Sequence, residues 1–341
     1  MQVRTGRQMV TGLTVNSKVN VPQDYARAAR ARCDTLFRIG TYHRGVPITN
    51  SSEETPTYEM IDDLNILEGS LSYIYNIKHS MELIKNGIYH LRNTQHTVKI
   101  MVPGQKIYMQ FLFYKYFVSF PQPLIICEGR TDNIYLKYGI RHLSDLYPHL
   151  GHDADNGFKP TITLFSYKNN VHRILELTGG SGTLQKFMGN YTKNMKRYQH
   201  RPLYQPVIML IDNDSAVTDL KGNLKKLFDV DVSLISTEPF YHLTDNLYLI
   251  KTPEKGASGT SCIEDCFDDG LKATLLEGKS FNPEKNLDPE AHYGKGPFAE
   301  KVVVPNANEI DWEGFRPLLD RISAVIGHYV PPASATLAKA A

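Results

Sequence analysis

Long apolar runs are missing from this chain of 341 residues. A membrane-spanning helix needs about 18 to 20 consecutive apolar residues, and no stretch approaches that length. The start of the sequence also lacks the apolar segment of a secretion signal, so we expect a cytoplasmic protein that is not associated with membranes. The composition is otherwise ordinary for a soluble globular protein, with 41% hydrophobic and 22% charged residues. A chain of this length predicts two domains more readily than one.

Cysteine is scarce, with four residues at positions 33, 127, 262 and 266. So few cysteines exclude a disulfide framework in a chain of this length. Cys262 and Cys266 have the spacing of one helical face, but no second His or Cys pair lies nearby to complete a zinc site. We therefore interpret them as buried thiols.

Two nucleotide-processing motifs are absent from the sequence. There is no G-x-x-x-x-G-K-[ST] loop, so no nucleoside-triphosphate site is expected. Gly179, Gly180 and Gly182 nevertheless precede a predicted helix and favour a turn that contacts phosphate. There is also no Y-x-D-D polymerase motif, since Asp62 and Asp63 lie in EMIDDLN, where acids favour the start of a helix. The chain is therefore not expected to polymerise DNA.

The net charge is only +2, but its distribution is uneven. Residues 1–50 carry eight Lys or Arg against two Asp, a net charge of +6, and residues 185–205 carry five basic residues and no acid. Residues 259–300 have an acidic excess. This distribution favours a protein that binds phosphates and holds cations, although charge alone is equally consistent with a solvated surface.

The first part of the chain has helical patterns. Residues 22–40 predict a helix with a proline at its first turn, a glycine at its end and several Arg between them. Leu and Ile at three- and four-residue steps predict one or two helices across 59–85. The aromatic-rich stretch 105–120 favours a helix packed between two domains over a base-stacking surface. We expect residues 1–118 to form a small, mostly helical domain.

Residues 119–341 change to short apolar runs separated by helix-compatible stretches. The runs are LIIC at 124–127, TITLF at 161–165, VIMLI at 207–211 and LYLI at 247–250. Continuous apolar strands that alternate with helices are typical of an α/β domain, whose mainly parallel sheet is flanked by helices. In such sheets, ligands bind beyond the carboxyl ends of the strands.

Carboxylates follow two of these predicted strands directly. Glu128 comes after LIIC, and Asp132 lies one helical turn later. Asp212 and Asp214 follow VIMLI, and alternation in an extended D-x-D turns both aspartates the same way and Asn213 away. If the two strands are neighbours, about 4.8 Å apart, these carboxylates converge.

Converging carboxylates without a nearby cation repel one another, so this pattern predicts a site for Mg²⁺, with Mn²⁺ as a substitute. Gly129, directly after Glu128, would let a phosphate or metal approach the backbone. The plainer alternative is a polar turn after a buried strand. The D-x-D strings at 153–155 and 229–231 follow no apolar strand, and we interpret them as surface acids.

LIICEGRTD followed by VIMLIDND resembles the Toprim domain of topoisomerases, primases and the overcoming-lysogenization-defect nucleases. NLYLIKTP at 246–253 is similar to a later Toprim strand. The spacing of Glu128 and Asp132 resembles the nuclease subgroup. SCIEDCF at 261–267 resembles the third acidic motif of that subgroup and offers Glu264 and Asp265. YGKGPFAEKV at 293–302 resembles its late K-x-x-F-A motif and offers Lys295.

The resemblance implies a Mg²⁺-dependent endonuclease. It assigns metal binding to Glu128, Asp132, Asp212, Asp214 and Glu264, and catalysis to Glu128, Asp212, Asp214 and Lys295. The lysine would stabilise charge on the phosphorus or on the leaving oxygen. No tyrosine has a recognisable topoisomerase signature, so hydrolysis is favoured over a strand-passage or primase module.

RQMVTGLTVNSKVNVPQDYARAARA at 7–31 and LEGSLSYIYNIK at 67–78 resemble the C-terminal thumb region of retron reverse transcriptases. The resemblance implies binding of the retron noncoding RNA and its RNA–DNA hybrid by Arg7, Thr11, Gly12, Lys18, Arg27 and Arg30. Val10-Thr11-Gly12 alone would also suit a hairpin turn.

The chain as a whole resembles the C-terminal portion of a longer reverse transcriptase–Toprim fusion. We therefore expect a nuclease effector of a retron antiphage defence system that cleaves RNA or DNA. A catalytically silent scaffold in a retron ribonucleoprotein is the alternative. Self-association of the chain stays open.

Overall fold

The computed structural model describes residues 8–15, 18–44, 59–85, 104–167, 170–284 and 288–333. The chain divides into two compact units, one of Met1–Val118 with Lys193–Arg201 and the other of Ser119–Thr192 with Pro202–Ala341. Within the described ranges, no helix is both long and apolar enough to cross a membrane.

The first unit combines short strands with longer helices. Its elements are β1 (Met9–Val10), β2 (Leu13–Thr14), α1 (Gln23–Ile39), β3 (Tyr42–Arg44), β4 (Glu59–Ile61), α2 (Leu64–Lys85) and α3 (Gln105–Phe113), which continues as a π-helical segment over Tyr114–Val118. The strands form two antiparallel pairs, β1 with β2 and β3 with β4.

Helix α1 has the boundaries that its sequence predicts. Pro22 precedes its first residue, and Gly40 ends it in a left-handed conformation with φ of 83° and a hydrogen bond to Leu36 O. Helix α2 begins later than predicted, because residues 59–61 pair with β3. The Asp63 carboxylate then accepts a hydrogen bond from Asn65 N at 2.8 Å, which favours a helix start at this point.

The core of the first unit is aromatic. Phe37, Tyr114 and Tyr198 lie around one point, with ring centroids 5.0 to 5.5 Å apart. Most aromatic side chains of residues 105–120 are buried. This stretch therefore does not form an exposed stacking surface, and the expectation that its helix packs between two domains stays a prediction.

From Leu124 onward, strands and helices alternate. The first half contains β5 (Leu124–Cys127), α4 (Arg130–His142), β6 (Gly151–Ala154), β7 (Gly157–Pro160), β8 (Thr163–Leu164), α5 (Asn170–Ile174), α6 (Ser181–Met195), β9 (Val207–Ile211) and α7 (Ser215–Phe228). The second half contains β10 (Tyr241–Thr244), β11 (Leu247–Lys251), a 3₁₀ turn (Ile263–Cys266), α8 (Asp269–Lys272), β12 (Ser280–Phe281), β13 (His292–Tyr293), α9 (Lys295–Pro297), a π-helical segment (Phe298–Val303), a 3₁₀ turn (Glu313–Phe315) and α10 (Arg316–His328).

A five-stranded sheet in the order β10-β11-β9-β5-β8 organises the second unit. Strands β11, β9, β5 and β8 are parallel, which confirms the predicted α/β class with a mainly parallel sheet flanked by helices. The antiparallel edge strand β10 was not predicted, and its register shifts between His242 and Thr244. The opposite edge strand, β8, has only two residues.

Strands β5, β9 and β11 are buried along their whole length. One face of the sheet forms a core with α4, α10 and the π-helical segment, including Ile125, Cys127, Leu210, Ile250, Tyr135, Leu136, Phe298, Leu318 and Ile322. The helices bury their apolar sides there. The polar side chains that follow the strands are left at the carboxyl ends of the sheet.

Candidate functional site

Glu128 and Asp212 leave the same edge of the sheet. Strands β5 and β9 are parallel neighbours, with Cys127 opposite Leu210. Glu128 directly follows β5 and Asp212 directly follows β9. Burial raises the pKa of Asp212 to about 8, and the negative charge of neighbouring acids, including Glu128, adds to this effect. The two carboxylates therefore lie within electrostatic range of each other.

Asp132 turns back toward the start of its helix. Its Oδ2 accepts a hydrogen bond from Gly129 N at 2.7 Å, and the residue is only 4% exposed. Burial raises the pKa of Asp132, against the effect of this hydrogen bond. A Cβ at Gly129 would lie 3.0 Å from Asp132 Oδ1. The glycine therefore makes room for Asp132, and its expected role of letting a phosphate or metal approach the backbone stays a prediction.

Lys295 forms an ion pair with Glu264 and lies beside Asp212. Glu264 is 1% exposed, and its Oε2 lies 2.9 Å from Lys295 Nζ. The same ammonium lies 3.5 Å from Asp212 Oδ2. Burial opposes the charged form of Lys295, but Glu264 and Asp212 outweigh it and raise the pKa of the lysine above its ordinary value. One lysine thus partly neutralises two buried carboxylates.

The 3₁₀ turn that holds Glu264 is attached directly to the end of β9. Ile263 N donates a hydrogen bond to Asp212 Oδ1 at 3.0 Å. The neighbouring Asp265 instead has Lys255 and Lys272 as partners, at 3.4 and 3.5 Å. Of the two acids that the SCIEDCF motif offers, only Glu264 therefore pairs with Lys295.

Lys295 is held by the packing of the residues that follow it. Phe298 and Ala299 are fully buried, and the Phe298 ring stacks on Phe281 with centroids 4.2 Å apart. Tyr135 OH donates a hydrogen bond to Lys295 O at 3.3 Å. The spacing of the K-x-x-F-A motif thus has a physical reason, because the Phe-Ala pair anchors the turn that presents the lysine.

Asp214 has a different local role from Asp212. Its Oδ1 accepts a hydrogen bond from Ala216 N at 2.8 Å and caps the N-terminus of α7. The strand ends at Ile211 and the chain turns into the helix at Ser215, so the expectation that both aspartates face the same way stays a prediction. Asn213, between them, is completely buried, as expected for a residue that points away from the site.

Two features beside Glu128 complete the local geometry. Gly180 N donates a hydrogen bond to Glu128 O at 2.9 Å, so the glycine-rich turn before α6 lies against the backbone of Glu128. Tyr167 OH donates to Cys127 O at 2.5 Å. No sequence signal singled out Tyr167, because one tyrosine among twenty carries no pattern.

The candidate ligands are carboxylate oxygens, which is the chemistry that a hard cation requires. Their present arrangement is not that of a formed metal site. Asp132, Glu264 and Glu128 each raise the pKa of Asp212, and the ammonium of Lys295 opposes this effect. Glu264 Oε1 is buried and accepts no hydrogen bond from any described residue. In the same ranges, no three His, Cys, Asp or Glu side chains already have the arrangement of a metal site. Oxygen ligands with excess negative charge are those that Mg²⁺ prefers.

A basic cavity lies within the first unit. It has a volume of about 560 Å³ and is lined by Thr14, Asn20, Val21, Gln23, Asp24, Ala26, Arg27, Arg30 and Lys78. Burial lowers the pKa of Lys78, and the positive charges of Arg30 and Lys18 lower it further. The sequence did not single out Lys78, because it reaches the cavity from α2 and the predicted cations belong to α1 and its approach.

Three of the other predicted RNA-binding residues, Thr11, Gly12 and Lys18, lie in the described part of the chain. Lys18 is exposed. Thr11 and Gly12 form the two-residue turn between β1 and β2, with φ of 47° and 80°. They form the hairpin turn that the sequence Val10-Thr11-Gly12 suggests by itself. Arg7 lies outside the described residues.

No protein-family model matches the chain, and no solved structure matches it.

Proposed function

We propose that this protein is a metal-dependent phosphodiester hydrolase, the Toprim-type nuclease of a retron antiphage system. The observation that carries the proposal is the group of carboxylates at the carboxyl ends of β5 and β9, of which Asp132 and Glu264 are buried, with Lys295 beside it. Carboxylates held close together in a poorly hydrated place destabilise one another's charged forms, so such a group favours binding of a cation. The sequence motifs that supply these residues resemble those of the nuclease subgroup.

In this proposal Glu128, Asp132, Asp212 and Glu264 would hold Mg²⁺ or Mn²⁺. Asp214 stays a further candidate ligand beside its capping role. A bound metal would activate water and polarise the phosphate oxygens. Lys295 brings a positive charge to the same place, where it favours the extra negative charge that develops during displacement at phosphorus.

The basic cavity of the first unit is proposed to bind the phosphate backbone of the retron RNA or its RNA–DNA hybrid. Arg27, Arg30 and Lys78 line one concave surface, which is the pattern expected for contacts to a polyanion. The assignment of residues 1–118 to a reverse transcriptase thumb and a cytoplasmic location belong to the same proposal.

A catalytically silent scaffold is the second candidate. It is favoured by the ion pairs of Lys295 with Glu264 and Asp212, because an ammonium already stands between two of the carboxylates. In that case the group would stabilise the fold, and the protein would bind nucleic acid without cleaving it.

The test is incubation of the full chain with single- and double-stranded DNA, RNA and tRNA in Mg²⁺ or Mn²⁺. We expect cleavage of at least one substrate, and a loss of at least about a hundredfold in Glu128→Gln and Asp212→Asn. Asp153→Asn is the matched control, because this D-x-D aspartate lies exposed in the β6–β7 hairpin. Equal activity in all four proteins would reject the site, and binding without cleavage would favour the scaffold.

A further inference from the structure

Asn213, the middle residue of the D-N-D sequence, is completely buried and uses its polar groups fully. Its side-chain Nδ2 donates to Leu234 O at 2.8 Å and to Gly259 O at 2.5 Å. Its backbone N donates to Thr252 Oγ1 at 2.9 Å, and its backbone O accepts from Ser261 N at 3.0 Å. An amide is needed here, since a carboxylate would lose both donors.

Lys251, the last residue of β11, is a buried hydrogen-bond partner of the Asn213 side chain. Its side chain is 0% exposed, and its Nζ donates to Asn213 Oδ1 at 3.2 Å. The same ammonium donates to Ser233 O at 2.8 Å and pairs with Glu254 Oε1 at 2.7 Å. Arg321 of α10 pairs with Glu254 Oε2 at 2.6 Å.

This buried network is not explained by stability alone. Removing two charges from water is expensive, and apolar side chains of similar volume often stabilise a fold as well as a buried ion pair does. The network fixes the orientation of the Lys251 and Asn213 side chains, because each of their polar atoms has a defined partner.

The network connects the two chain segments that carry the candidate ligands. Thr252 Oγ1 accepts from Asn213 N and donates to Ser261 O at 3.1 Å. Two residues after Ser261, Ile263 N donates to Asp212 Oδ1 at 3.0 Å, and Glu264 comes next. Asn213, Lys251, Thr252 and Ser261, here called the Asn213 hub, therefore hold the end of β9 against the turn that bears Glu264.

We infer that the Asn213 hub consists of positioning residues that set the distance between Asp212 and Glu264 and so determine how tightly a divalent cation binds. This inference rests on the proposed metal-dependent function. The hub residues act through the two carboxylates and do not contact the substrate. Partners that orient metal-binding side chains typically change metal affinity about 10- to 100-fold when they are replaced.

Two substitutions test the hub in the full-length chain. Lys251→Met keeps the length of the side chain and removes the donors, while Thr252→Val keeps the shape and removes the hydroxyl. Thr252→Ser retains that hydroxyl and is the conservative rescue. Glu254→Gln is the matched control, because it alters the far side of the same network.

The probe is Mn²⁺, whose affinity is measured by titration calorimetry beside kcat, KM and the thermal midpoint. We expect Lys251→Met and Thr252→Val to bind Mn²⁺ at least about tenfold more weakly and to lower kcat, with little change in KM. Thr252→Ser and Glu254→Gln should stay within about threefold of the wild type, even if Glu254→Gln lowers the thermal midpoint.

Mn²⁺ affinities within threefold of the wild type in both Lys251→Met and Thr252→Val, with only the thermal midpoint lowered, would overturn the inference and leave the proposed function standing. A wild-type protein that binds no Mn²⁺ would instead overturn both. If Lys251→Met does not fold, the Thr252→Val and Thr252→Ser pair decides the question by itself.

Discussion

The two units hold their charged groups in opposite ways. In the second unit, Asp132 and Glu264 are 4% and 1% exposed, and each has a defined partner. In the first unit, the side chain of Arg27 is 66% exposed and lines an open cavity. Buried charges are costly unless their geometry is fixed, whereas exposed cations adapt at little cost. The buried, fixed charges of the second unit therefore suit a reaction at one point. The exposed cations of the first unit suit binding of a polyanion whose shape varies.

The largest expected effect separates two adjacent acids of the second unit. Glu264→Gln should lower the rate of cleavage by about a thousandfold, because it removes a buried negative ligand and a partner of Lys295. Asp265→Asn should retain activity, because this side chain pairs with Lys255 and Lys272. Single-turnover cleavage by the two variants measures the contrast. Equal losses would mean that the 3₁₀ turn matters only as a folded element.

The next largest effect on cleavage is expected for Lys295→Met. We expect cleavage to fall about 10²- to 10³-fold, because a positive charge beside the reacting phosphate is lost. Mn²⁺ binding should persist or tighten, since an ammonium that competes for Glu264 and Asp212 is gone. Calorimetric titration beside a cleavage assay checks both outcomes. Loss of Mn²⁺ binding in this variant would show that the lysine is needed to hold the carboxylates in place.

The cavity of the first unit should respond more gently and independently of cleavage. Arg30→Ala and Lys78→Ala should each weaken RNA binding by several-fold. Each should also reduce, by about one, the slope of the logarithm of the binding constant against the logarithm of the salt concentration. Arg38→Ala is the control, because this exposed arginine of α1 pairs with Asp34 and does not line the cavity. Binding measured across a series of salt concentrations gives the slopes. An equal loss in all three variants would show that general positive charge, and no particular cavity, binds RNA.

The smallest effect concerns pH and stability. Burial and neighbouring acids raise the pKa of Asp212 to about 8, so the folded protein keeps a proton that the unfolded chain has lost. Stability linked to this group is full below about pH 4 and decreases as the pH rises to about 8.

We therefore expect the thermal midpoint to fall by a few degrees between pH 5 and 8, and Mg²⁺ to restore it at the upper end. Asp212→Asn should flatten the dependence, because its amide does not titrate. Scanning calorimetry across that range measures it, and identical slopes in the two proteins would contradict the assignment to Asp212.

The strands that carry the site were predictable because their signal is local. LIIC and VIMLI are continuous apolar runs, and an acid directly after each run marks the point where the chain leaves the core. The limits of β5 and β9 could therefore be read closely from the pattern. Burial on both faces of a parallel strand leaves few other interpretations for such a run.

The rest of the candidate site depends on long-range packing. Glu264 lies on a 3₁₀ turn and Lys295 on a three-residue helix, neither of which has a periodic pattern, so only motif resemblance identified them. Asp214 lies beyond the end of its strand, where the alternation rule no longer determines which way a side chain points. Lys251, directly after the apolar run LYLI, gave no local indication that its ammonium would be buried against Asn213.

The edges of the central sheet have a consequence for solubility. Unpaired edge strands invite pairing with another chain, and long, flat ones do so most readily. Here β8 offers only two residues, and β10 is irregular between His242 and Thr244. The sheet therefore presents little continuous backbone to a second copy, which should limit aggregation through strand addition. Restoring a regular β10 would be expected to make the protein more prone to aggregate.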